Sequence, residues 1–180
     1  MGRGRDSQRQ RVYDAERDHS QWMNAIYSEN GRGWTTTGLT RKGDTETVLP
    51  IPEVSEIEDY FKKIFKSRWF KNRWPMRAKN GFAIKDGRRR QTAWGATNGN
   101  MGFPRWSRFD LFYCHELAHV VTSGANRSHG RVFCYNYLTI VKFAMGKEVA
   151  DELKECFKKH RVKYTLPAGE KPTRLHKVKR

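Results

Sequence analysis

The chain has 180 residues, 36 Lys or Arg against 19 Asp or Glu, a formal net charge of +17, and a hydrophobic share of 37%. This length suits one domain with a real core and leaves no room for a second catalytic domain, while 13% aromatic residues exclude a wholly disordered chain. The charge favours polyanionic partners, non-specific nucleic acid first and anionic membrane second; in the plainer reading it only keeps the surface solvated.

Residues 1–4 read as a flexible lead, residues 5–161 as a single domain and residues 162–180 as a basic tail. The start, MGRGRDSQRQRVYDAE, lacks the apolar stretch of a signal peptide, and no later run approaches membrane-spanning length, so no membrane partner is expected. Cys114, Cys134 and Cys156 are odd in number and unpaired in spacing, which predicts small buried apolar residues in a cytoplasmic, reducing compartment.

A helix is predicted over residues 5–28, with Val12, Ala15, Trp22, Ile26 and Tyr27 on one face. The Gly- and Thr-rich residues 29–47 read as a loop. Pro50 and Pro52 precede a helical stretch in which Ile57, Tyr60, Phe61, Ile64 and Phe65 recur at helical spacing, acids leading and bases following. From 81 to 103, the runs FAI, QTAWGA and NMGF are broken by KDGR and NGN, predicting a small antiparallel sheet with Asn100–Phe103 as its edge strand. Ser107 is then expected to cap a helix, with Asp110 completing a capping box, that runs to about Ser123 and stops at Gly124. Ser128 is expected to cap the next, whose stripe is Phe133, Tyr137, Ile140 and Val141, ending at Gly146. A last helix over 147–161 faces Val149, Leu153, Cys156 and Phe157 inward. The fold class expected is α+β and zincin-like: a small antiparallel sheet whose edge strand packs on an active-site helix, with further helices around it.

HELAH, residues 115–119, lies in the first of those three helices. Four residues advance a helix by just over one turn, so His115 and His119 project from one face and can share a tetrahedral zinc ion. Glu116 then sits beside the metal without binding it, placed as a general base for a metal-activated water. Zinc in a catalytic site needs a third protein ligand; His129, in SHGRVFC at a turn, is favoured, with Glu148, Asp151 and Glu152 as carboxylate alternatives. His19, His160 and His176 lie among polar or basic residues and read as surface. Tyr135, Tyr137 and Arg127 stand equally as partners for an oxyanion.

HELAH, nine intervening residues and HGRVF together resemble the HExxH…HGxxF signature of the SprT-like zinc metalloproteases, which are small zincins. RDSQRQRVYDAE, SRWFKNRW at 67–74 and MGKEVADEL at 145–153 look like a family of small metallohydrolases of actinobacteria and their phages. The resemblance spans most of residues 5–160. It implies one zinc ion on His115, His119 and His129, Glu116 as general base, and protein substrates bound or crosslinked to DNA. The cysteine-rich zinc ribbon that many SprT-like proteins append is not in this sequence, so DNA targeting would fall to its own positive charge. A peptide substrate is expected to lie along Asn100–Phe103 as an added antiparallel strand.

Between Lys62 and Arg90 there are twelve Lys or Arg and one acid, Asp86, with Trp69, Phe70, Trp74 and Phe82 interleaved. Arg68, Lys71, Arg73, Arg77 and, at an expected hairpin turn, Arg88, Arg89 and Arg90 are candidate nucleic-acid contacts. In the opposing reading the aromatics, Trp69 and Phe70 above all, point into the core. Three functions follow: a zinc peptidase acting on proteins on or near nucleic acid, a non-catalytic basic nucleic-acid-binding protein with a structural zinc site, and a hydrolase of small amides.

Overall fold

The computed structural model describes residues 6, 8–29, 51–88, 90–122 and 129–166. Expectations for residues 30–50, 123–128 and 167–180 and for Arg89, among them Gly124, Arg127, the Ser128 cap, His176 and most of the basic tail, lie outside these.

Helix α1 (Arg9–Glu29) buries Val12, Ala15, Glu16, His19 and Met23 along one face. Helix α2 (Val54–Lys66) is closed at its start by the Glu56 carboxylate, which accepts the Glu53 backbone N–H at 2.8 Å, and it buries Ile57, Phe61, Ile64 and Phe65. Ser67 then turns extended, its Oγ accepting the Phe70 N–H at 3.1 Å, and so ends α2 and caps α3 (Arg68–Arg73). Pro75, at a position where no N–H is needed, opens α4 (Pro75–Asn80).

Three strands follow: β1 (Ala83–Asp86), β2 (Trp94–Gly95) and β3 (Asn100–Phe103), in the order β1-β3-β2. The sheet is mixed rather than antiparallel. β1 runs parallel to β3, Ala83 opposite Asn100 and Asp86 opposite Phe103, while β2 is antiparallel with Trp94 opposite Gly102. β3 is therefore the central strand and not an edge. The physical reason is Arg108, whose buried guanidinium donates to Asp86 at 2.8 Å, to the Phe103 carbonyl at 3.1 Å and to the Pro52 carbonyl at 3.0 Å. One cation thus ties the C-terminal ends of β1 and β3 side by side, so Asp86-Gly87 leads out of the sheet instead of turning a hairpin. The NGN turn does make a hairpin, between β2 and β3: the Ala96 N–H donates to the Asn100 carbonyl at 2.9 Å.

Ser107 closes a 3-10 turn (Arg105–Ser107), its Oγ donating to the Pro104 carbonyl at 2.9 Å, and does not cap the next helix. Helix α5 (Asp110–Val121) starts after Phe109 and buries Leu111, Val120 and every residue from Tyr113 to Ala118. A helix apolar on almost every face must be surrounded. β2 and β3 cover one side of α5 and α6 (Arg131–Ala144) another; α7 (Lys147–Lys159) backs α6, and α1 lies across α7. Gly146, with φ at +103°, makes the sharp joint between α6 and α7 that a side chain would strain.

His19 is fully buried, contrary to its expected surface position. Because α1 lies on α7, its Nε2–H donates to the Val149 carbonyl at 2.9 Å between the two helices. Beside it, Asp18 holds Lys159 at 2.7 Å and His160 at 2.8 Å. Past α7, Val162 is buried and the Lys163 N–H donates to Gln8, whose Nε2 in turn donates to the His129 carbonyl at 3.0 Å. All three cysteines are buried and free. No helix among the described residues is long and apolar enough to cross a membrane.

Candidate metal centre

His115 and His119 stand one turn apart on the face of α5 that looks toward α1 and the start of α6. His129 enters from the turn just before α6, held by its carbonyl on Gln8 and by the Cys134 thiol, which donates to the same carbonyl at 3.6 Å. The three rings converge through Nε2: His115 Nε2 lies 3.2 Å from that of His119 and 3.2 Å from that of His129. Zinc–nitrogen bonds of about 2.0–2.1 Å in a tetrahedron put ligand nitrogens about 3.3 Å apart, so the spacing fits one such ion. His115, His119 and His129 form a cluster that could hold a metal ion, with ligand atoms within 4.8 Å of one another. The carboxylate alternatives on α7 are elsewhere: Glu148 and Asp151 are exposed, Asp151 paired with Lys147, and Glu152 accepts from Cys156.

The outward nitrogens explain the inward ones. His115 Nδ1 meets the Glu16 carboxylate at 2.5 Å, and His129 Nδ1 meets Asp6 at 2.8 Å. In the neutral rings each carboxylate holds the proton on Nδ1 and leaves Nε2 free to bind a metal. The donor set, with its rings neutral, therefore suits a metal ion.

The electrostatics follow the same layout. Burial works against the His115 imidazolium, but the charge and hydrogen bond of Glu16 outweigh it and raise the pKa. Burial, helped by positive His115, pushes His129 down despite the pull of Asp6, which favours the neutral ring a metal needs. Tyr137, fully buried with its ring 5.4 Å from that of His115, donates its hydroxyl to the Leu111 carbonyl at 3.5 Å, and burial raises its pKa well above the usual value.

Glu116 is buried and faces a cleft of about 320 Å³ that His115 also lines. Burial pushes its carboxyl up to about 7; His115 and a hydrogen bond from the Gly95 N–H pull down, and Glu16 pushes up. That is the range in which a carboxylate both takes and returns a proton near neutral pH. Gly95 is what lets β2 come this close, since a Cβ there would collide with the carbonyl oxygen of Glu116.

Sequence reasoning missed Asp6, Tyr13 and Glu16. Tyr13 is 37% exposed at the cleft, its ring centroid 5.1 Å from that of His129. It is better placed to meet a substrate oxygen than Tyr137, which is sealed in the core, or Tyr135, which lies beneath Arg73. A signal was there: Val12, Ala15, Glu16, His19 and Met23 form a stripe at helical spacing, and two of its members are ionisable.

The candidate nucleic-acid contacts divide. Arg68, Lys71, Arg88 and Arg90 are exposed, although Arg88 pairs with Asp86 at 2.6 Å and Arg90 lies over Trp94 at 5.0 Å. Arg73 lies between Trp74 and Tyr135, and Arg77 donates to the Thr97 carbonyl, so both are engaged within the fold. Phe70 and Trp74 are core, Phe82 packs on Phe61 and Phe65, and Trp69 stacks flat on Phe143 at 4.0 Å. The structure does not gather these aromatics into an open stacking platform: Phe70 and Trp74 point into the core, and Trp69 and Phe82 lie half-buried against it. No family model, curated protein or solved structure matches this chain.

Proposed function

We propose that this protein is a zinc-dependent peptidase of the zincin type, cutting proteins on or near nucleic acid, with Glu116 as its general base. One observation carries the reading: His115 Nε2 lies 3.2 Å from that of His119 and of His129, two of the three rings are oriented by carboxylates, and the buried carboxyl of Glu116 faces a cleft beside them. A zinc ion on these nitrogens would supply Lewis acidity, polarising a peptide carbonyl and acidifying water.

The chain's own residues do the rest. Glu116 accepts a proton from the attacking water and returns it to the departing amine nitrogen, a transfer its near-neutral pKa suits in both directions. Glu16 and Asp6 keep the rings of His115 and His129 aimed inward. Tyr13, at the cleft, donates its hydroxyl to the developing oxyanion. The substrate does not lie along β3, which is paired on both sides. The nearest strand edge is β2, where the Gly95 N–H already serves Glu116. The net charge of +17, with Arg68, Lys71, Arg88 and Arg90 exposed, supports a nucleic-acid-bound substrate.

The test pairs wild type with Glu116→Gln. Both should bind one zinc ion per chain by elemental analysis, while the variant loses about 10²–10⁴-fold in cleavage of a DNA-bound protein. Undiminished cleavage by the variant would refute the mechanism. If nothing is cleaved while zinc and DNA both bind, the non-catalytic reading replaces it.

A further inference from the structure

The cleft that receives Glu116 has a second end with different chemistry. Leu111 and Phe112 lie four residues before His115 and Glu116, so the helical face that aims the ligand and the base also aims these two side chains one turn earlier. Phe112 is held by Phe109 at 4.4 Å and meets the edge of Trp106 at 5.2 Å. Trp106, on the 3-10 turn before α5, is 39% exposed, unusual for so large an apolar surface. Ala93, just before β2, and Thr92 beside it complete the walls, and the volume of about 320 Å³ suits one large side chain with its stretch of backbone. The arginines at this cleft are already engaged: Arg9 with the Tyr13 hydroxyl, Arg17 with Asp14 at 2.7 Å.

We propose that this apolar cleft is the specificity subsite of the enzyme and receives a large apolar side chain, aromatic or long aliphatic, from the residue next to the bond that is cut. The assignment rests on the peptidase reading, because it is continuity with Glu116 that makes the occupant part of a peptide. His115 and Glu116 line the same cleft as Phe112 and Trp106, so a substrate whose carbonyl sits at the histidine cluster can lay its adjoining side chain against them. Hydrocarbon walls make an aromatic or leucyl side chain welcome there. An Asp or Lys side chain would give up water against the walls that Trp106, Leu111 and Phe112 form.

The experiment uses the zinc-loaded full chain and a set of peptides identical except for Phe, Leu, Ala, Asp or Lys beside the cleavage site. The expected result is a kcat/KM for Phe and Leu at least about 10-fold above that for Ala, with Asp and Lys lower still. Trp106→Ala should flatten this ranking. Thr92→Trp, at an exposed position on the cleft, should block it, with zinc content unchanged in both variants. In parallel, N-acetylphenylalaninamide and N-acetylalaninamide are titrated into Glu116→Gln protein and followed by NMR. The phenylalanine amide should bind more tightly and be expelled by adding Thr92→Trp. Cleavage indifferent to the varied residue, or equal binding of the two amides, overturns the subsite. No cleavage of any peptide, with the phenylalanine amide still bound and still expelled, overturns the peptidase reading and leaves the cleft as an apolar ligand site.

Discussion

Between α1 and α5 the ionisable side chains turn inward: Glu16, His19, His115, Glu116 and His129 are all buried. From Lys62 to Arg90 the arrangement is reversed, with Phe65, Phe70 and Trp74 in the core and most charges in solvent. Both stretches look unusual in composition, yet only one departs from what folding alone would choose. Outward bases over inward aromatics are what a helix does to solvate one face and pack the other. Burying carboxylates beside imidazoles costs desolvation and is tolerated where every group has a partner and a task. A dense run of charge is thus a weaker pointer to a site than a few polar residues on an apolar stripe.

The contrast is broken most severely by removing an inward partner. Glu16→Gln or Asp6→Asn should weaken zinc binding by about 10–100-fold, because the ring it orients loses its tautomer and its aim. Competition against a chromophoric chelator measures this. Unchanged affinity in both variants would mean that the carboxylates serve the fold and not the metal.

Gly95→Ala tests how tightly β2 is pressed on α5. The added Cβ meets the backbone of Glu116, and the expected loss is about 1–3 kcal/mol, read as a fall in Tm, with cleavage reduced further because Glu116 shifts.

The buried imidazole of His19 gives the inward region a pH signature. Burial lowers its pKa from the ordinary 6.5, against upward pulls from the Val149 carbonyl and Glu16. The unfolded chain therefore takes up the proton first, and stability is lost as pH falls below about 6.5. Urea midpoints from pH 8 to pH 5 should fall for wild type, and less steeply for His19→Gln, which keeps a donor without the charge. Equal slopes would remove His19 from the account.

The outward region answers to salt. Arg88→Gln and Arg90→Gln should each lower the slope of log K against log salt for single-stranded DNA by about one or less, leaving Tm almost unchanged. Arg77→Gln should do the opposite, since its guanidinium serves the Thr97 carbonyl.

Local pattern made much of this legible. The stripe of α2, the Gly146 joint and the run of α7 follow from periodicity and backbone chemistry, and HELAH marks two convergent imidazoles because helical geometry leaves them no alternative. Other features were hidden because they depend on residues far apart in the chain. Arg108 joining Asp86, Phe103 and Pro52 turned an expected hairpin into a parallel pair and moved Asn100–Phe103 from the edge of the sheet to its centre. Glu16 meets His115 across 99 residues, and Asp6 meets His129 across 123.

By itself, the sequence determined the stripes of α2, α6 and α7 and the two imidazoles that one helical turn brings together, since each depends on residues only a few positions apart. Tertiary structure alone decided the order of the strands, the carboxylates that orient the imidazoles and the apolar cleft beside Glu116. Those arise where α1, the sheet and α5 meet, and no local periodicity encodes which distant partner a buried polar group will find.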